Sequence, residues 1–179
     1  MSCNSNWLMR RRDAGLALLA LPLAAWAKEA PGALTAAAPN LRPWGSGEFR
    51  RFGFLVYEAT LWAGDTAPVK PPLALGLTYK RNIDGKAIAD ASVDQMRRFD
   101  ATDAQLARWG DQMQAIFPNV KPGDQIVGLQ LPDRARFFFN DQPVGDIAGA
   151  EFAQTFFAIW LDPRTSEPKL RDALLKRPA

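Results

Sequence analysis

Arg50, Arg51 and Tyr57 are the side chains best equipped for chemistry in this chain, and they share one apolar stretch, GSGEFRRFGFLVYEATLW, from Gly45 to Trp62. A guanidinium presents a fork of donors that fits a carboxylate in two bonds, and a neighbouring phenol can add a third. Apolar strand faces beside such a clamp would suit the tail of an amphiphilic anion. The opposing reading is structural: both arginines run out to solvent over their aliphatic stems, Arg50 pairs with Glu48 or Glu58, and Tyr57 is ordinary core. Seven residues separate Arg50 from Tyr57, so a regular strand would place them on opposite faces. Arg51 has the parity to face Tyr57's side, and a bulge around Gly53 would bring Arg50 there instead.

Other chemistries are excluded by what is missing. The chain has no histidine, and its one cysteine is Cys3. That removes His/Cys metal sites, Ser-His-Asp and Cys-His catalysis and an intrachain disulfide; no spacing suggests a carboxylate metal site, and no cofactor is implied. It also removes the side chain that ordinarily titrates near neutrality. A formal net charge of +3 is too slight for a nucleic-acid footprint.

Residues 1–27 read as a signal peptide. Arg10, Arg11 and Arg12 form a basic leader, AGLALLALPLAA from Ala14 to Ala25 is apolar but short for a bilayer span, and Ala25-Trp26-Ala27 is a small-x-small cleavage site before Lys28. The expected product is periplasmic, without a stable membrane span once the leader is removed. The consecutive arginines also fit a twin-arginine route, and an uncleaved anchor is the alternative to removal. Residues 28–44, with three prolines and many alanines, read as a linker or first edge strand.

The stretch from Gly45 to Trp62 reads as one long strand, with Phe52, Phe54 and Val56 on one face and Gly53, Leu55 and Tyr57 on the other. Both faces are apolar, so cover is expected on both sides. Leu73–Tyr79 is a second strand, and Asn82-Ile83-Asp84-Gly85 a turn. Lys86–Arg98 reads as a helix with an imperfect apolar stripe through Ile88, Ala91 and Met96. A clearer helix follows, with Leu106, Trp109, Met113 and Ile116 recurring at three and four; Thr102 caps it, Gln105 completes a capping box, and Pro118 ends it. Gln125–Leu131, Ala135–Phe139 and Gln142–Ile147 are closely spaced strands, the last with an edge-type proline. Glu151–Leu161 is a helix apolar over much of its circumference. A last helix through Leu170, Leu174 and Leu175 takes Thr165 or Ser166 as its cap. Short hairpins argue against a parallel sheet. The pattern gives α+β: an antiparallel sheet with helices against one side.

GSGEFRRFGFLVYEATLW, LTYKRNIDG, IFPNVKPGD and FAQTFFAIWLDPRTSEPKLRDALL together resemble the bacterial chalcone isomerase-like proteins. The resemblance spans about residues 45–175, and its most specific string is FFAIWLDPRT. It implies an open-faced β-sandwich, a large antiparallel sheet with a layer of helices against it, over residues 45–178, and a ligand cleft between the long strand and that layer. Plant chalcone isomerases add a phenolate to an enone within one molecule, using an arginine at the strand entry, a threonine further on, and a tyrosine and an asparagine after a later turn. Arg50 matches the arginine, Tyr57 falls at the threonine, Ile88 stands where the catalytic tyrosine would be, and no asparagine follows. Non-catalytic plant relatives bind fatty acids with an arginine and a tyrosine, which Arg50 and Tyr57 match more closely. The resemblance implies a non-catalytic protein that binds a fatty acid or similar lipophilic anion, and the leader makes it an exported one. Two alternatives stand beside it: an isomerase or intramolecular lyase acting on an enone, with Arg50 as electrophile and Tyr57 as proton donor, and an interaction protein whose cleft is filled by its own side chains. The sequence is silent on oligomeric state.

Overall fold

A computed structural model describes residues 29–176; the expected signal peptide lies outside them. Six strands form one antiparallel meander in chain order: β1 (Arg42–Arg51), β2 (Phe54–Ala63), β3 (Leu73–Tyr79), β4 (Gln125–Gln130), β5 (Arg134–Phe139) and β6 (Gln142–Ala148). The connection from β3 to β4 carries helices α2 (Gly85–Met96) and α3 (Asp103–Ile116), and α4 (Ala150–Leu161) and α5 (Pro168–Leu175) follow the sheet. A short helix, α1 (Gly32–Ala37), precedes it. This is the α+β open-faced sandwich expected.

Strand alternation sorts the core into two layers. Leu61, Leu75, Tyr79, Ile126 and Phe137 face the four later helices, where Trp109, Met113, Phe152 and Phe157 are buried. Trp62, Ala74, Val127, Leu129 and Phe138 face the other way and are covered with Leu34 of α1. Cover on both sides holds for residues 59–63 of β2, whereas Phe52 and Phe54, near the β1–β2 turn, are exposed; residues 29–44 supply part of that cover. That segment is neither simple linker nor simple strand: it forms α1 and then starts β1, an edge strand that pairs with β2 alone. Asp141 Oδ1 accepts from the Ala33 backbone N–H at 2.6 Å, tying α1 to the β5–β6 turn.

The expected long strand is in fact a hairpin. Arg51 pairs with Phe54, and the two residues between them turn the chain with φ of 51° at Phe52 and 80° at Gly53. Positive φ at both central positions is what a tight type I′ hairpin requires, and its usual signal is Asn-Gly or Asp-Gly. Phe-Gly concealed it. Phe52 consequently stands at a tip and shares no strand face with Phe54 and Val56. The β5–β6 turn, Asn140-Asp141, has the same sign of φ, at 45° and 68°, with residues that suit it.

The capping box on α3 is present as expected: Thr102 Oγ1 accepts from the Gln105 N–H, and Gln105 Oε1 accepts from the Thr102 N–H at 2.9 Å. Neither Thr165 nor Ser166 caps α5. Its N-cap is Glu167, with Pro168 in the first turn. Thr165 is drawn inward, donating to the Ile159 carbonyl at 2.6 Å.

Candidate functional site

The pleat that buries Leu75 and Leu77 also aims Phe49, Tyr57 and Tyr79 at the helical layer, and there the layer does not close. A cavity of about 640 Å³ remains between β1–β3 and the helices α2 and α4. Leu77, Ile83, Ile88, Ile126, Phe117 and Phe156 give it an apolar interior. Arg50, Arg51 and Phe52 line it from the hairpin tip; Asp94 comes from α2, and Ser166 and Glu167 from the approach to α5. Its size falls within the range usual for small-molecule sites, about 300–1,000 Å³.

Tyr57 sits opposite Phe49 in the β1–β2 register, so the two rings share a face and stack at 4.9 Å between centroids. Tyr79, across the next strand pair, meets Tyr57 edge-on at 6.0 Å. The Trp160 indole N–H of α4 donates to Tyr57 Oη at 3.0 Å. That bond occupies an acceptor position and leaves the hydroxyl's own hydrogen to donate. Burial pushes both tyrosine hydroxyls well above the ordinary tyrosine range. At Tyr57 the Trp160 bond opposes the rise and Glu167 adds to it; at Tyr79, Tyr57 adds to it. Both phenols are thus neutral hydrogen-bond donors at any physiological pH. Neither is a base near neutrality.

Arg50 and Tyr57 do line one cavity, and the hairpin supplies the reason that strand parity could not. Once the chain reverses at Phe52-Gly53, counting seven residues along a straight strand no longer applies. The register also slips between Phe49 and Arg50, because Phe49 opposes Tyr57 while Arg50 opposes Leu55. The irregularity expected around Gly53 is therefore a turn with a bulge beside it. Arg50 is engaged outside the cavity. Its Nε and Nη2 donate to Glu48 Oε2 at 3.0 and 2.8 Å, and the pair is about half exposed. Tyr57 is bonded to Trp160, so the two expected ligand groups have separate partners. Arg51 lies 5.5 Å from the Phe52 ring centroid.

Two contributors escaped the sequence reading. Tyr79 ends an apolar strand and looked like its last core residue, and Trp160 belonged to a helix face whose burial was explanation enough. Nothing local distinguishes either from core. Ile88, noted where an enzyme of this type would carry a tyrosine, does line the cavity and adds an apolar wall there.

Residues 29–176 match the family model described as chalcone isomerase-like. The chain belongs to the chalcone isomerase-like family. It is also 33% identical over 143 residues to an uncharacterised protein of Haemophilus influenzae, covering 78% of this chain and 71% of that one. Among solved structures, the chalcone isomerase-like chain resembles an Arabidopsis thaliana fatty-acid binding protein, with a TM-score of 0.58 over 76% of this chain and 87% of the other. Identity there is 12%, so the likeness is one of fold.

Proposed function

We propose that this chalcone isomerase-like protein is an exported, non-catalytic binder of a fatty acid or similar lipophilic anion. The observation that carries the reading is the 640 Å³ cavity, apolar within and bordered by Arg50 and Arg51 at one end. The tail would occupy the space between Leu77, Ile88, Ile126 and Phe156. The carboxylate would turn to the hairpin side, because Asp94 and Glu167 on the helical side repel it. Arg50 then exchanges Glu48 for the ligand carboxylate, a swap between two half-exposed partners, and Tyr57 donates its free hydrogen. The A-W-A site after the apolar leader supports export to the periplasm.

Titration of the purified protein with a fluorescent fatty acid tests this. A charge-assisted contact contributes roughly 1.5–3 kcal/mol, so Arg50→Ala should weaken binding about ten- to a hundredfold. Tyr57→Phe removes one neutral donor and should cost on the order of 1 kcal/mol. If Arg51→Ala weakens binding and Arg50→Ala does not, the carboxylate sits on the other arginine. If the wild-type protein takes up no fatty acid, the reading fails.

A further inference from the structure

Among the described residues the exposed large apolar side chains are two phenylalanines at the β1–β2 tip, Phe52 at 87% exposure and Phe54 at 61%. At that exposure Phe52 buries little apolar surface in the fold. It also holds a backbone conformation, φ 51°, that asparagine or glycine adopts more readily. Stability alone would not choose phenylalanine here. Each ring is accompanied by a guanidinium: Arg51 lies 5.5 Å from the Phe52 centroid and Arg81 4.6 Å from that of Phe54. Lys80 joins the group through its backbone N–H, which donates to Val56 at 2.9 Å. Glu48 pairs with Arg50 and Glu58 with Lys80, while the guanidinium groups of Arg51 and Arg81 lie against the two exposed rings. Exposed aromatic rings flanked by arginines are the chemistry of an interfacial anchor: the rings enter the acyl boundary while the guanidinium groups meet head-group phosphates.

We propose that the β1–β2 hairpin tip docks on an anionic lipid membrane, and that the cavity exchanges its ligand through this docked tip. The second half rests on the lipid-binding reading above. Its ground is that Arg50, Arg51 and Phe52 belong at once to the tip and to the cavity lining. A membrane pressed against the tip would lie at the cavity entrance.

Sedimentation of the purified protein with phosphatidylglycerol-containing vesicles, against pure phosphatidylcholine vesicles, tests the surface. Wild type should partition to the anionic vesicles and be released by salt. Phe54→Ser should weaken partitioning roughly tenfold and Arg81→Ala roughly fivefold. Neither residue lines the cavity, so both variants should keep wild-type affinity for a fluorescent fatty acid. Phe52→Asn should lose vesicle binding while its Tm stays level or rises, since asparagine suits the turn. All forms carry the same N-terminal segment, so differences between them report on the tip. Equal partitioning of wild type, Phe54→Ser and Arg81→Ala would overturn the proposal. So would a concentration-dependent dimer abolished by Phe52→Asn, which would make the tip an interface between copies. Tip-dependent vesicle binding without fatty-acid uptake would keep the docking surface and discard the cavity's proposed ligand. Uptake without vesicle binding would do the reverse.

Discussion

Tyr57 and Tyr79 are the chain's two tyrosines; Tyr79 is buried, Tyr57 is partly buried against the core, and both hydroxyls are held neutral. An unfolded tyrosine ionises near pH 10. The folded pKa is raised above that value, so the unfolded state loses its protons first as pH climbs. Stability is intact below about pH 10 and falls above it, because the unfolded chain then binds fewer protons than the native one. Two outcomes are expected in an alkaline titration followed by tyrosinate absorbance. Neither phenol should ionise near pH 10 in the native protein, and both should appear together as the fold is lost. A native protein showing one ordinary tyrosine titration would mean that one of the two rings reaches water.

Elements meet closely where glycine allows it, and the Gly45-Ser46-Gly47 run that opens the hairpin is the clearest instance. Helix α5 packs over β1 there. A Cβ built on Gly45 would lie 2.2 Å from the Leu174 carbonyl oxygen, and one on Gly47 would lie 2.8 Å from a Leu170 methyl. The Trp44 indole completes the junction, donating to the Leu175 carbonyl at 3.2 Å and satisfying one of the helix's terminal acceptors. Gly45→Ala should therefore force α5 from the sheet and destabilise the protein by about 1–3 kcal/mol or more, since the obstacle is backbone. Gly64→Ala is the control: nothing lies within 4 Å of its added methyl, and its denaturant midpoint should barely move.

For the whole molecule, the sheet and its helical layer are joined through Phe137. Its ring is fully buried and lies 5.1 Å from Phe117, 6.4 Å from Phe152 and 5.3 Å from Phe156, measured between centroids. One side chain of β5 thus touches the chain after α3 and two turns of α4. Phe137→Ala should cost about 3–5 kcal/mol, read as a lower urea midpoint at unchanged slope. The same layer leaves the cavity beside the hairpin, where α2 contributes Ile88 and Ala91, and Phe117 and Phe156, which pack on Phe137, also line it. Phe137 itself does not line the cavity, but its truncation removes the ring that Phe117 and Phe156 pack on, so this mutation should lower ligand affinity as well as stability.

Local rules carried much of this. Alternation and close hairpin spacing were enough for an antiparallel sheet with helices against it. The Thr102–Gln105 box marked the start of α3, because a cap depends on residues three apart. Arg50 and Tyr57 come from one stretch of sequence and line one cavity, but each has a partner of its own. The β1–β2 turn was missed because Phe-Gly is not a sequence that prefers positive φ; pairing of the flanking strands imposes it. Tertiary packing alone decided that Thr165 would turn inward to Ile159 instead of capping α5. It also brought Trp160 to the Tyr57 hydroxyl from 103 residues away and left Arg50 bonded to Glu48. Whether a polar side chain meets a ligand, a neighbour or water is settled by what other elements leave beside it, and no spacing along one strand contains that information.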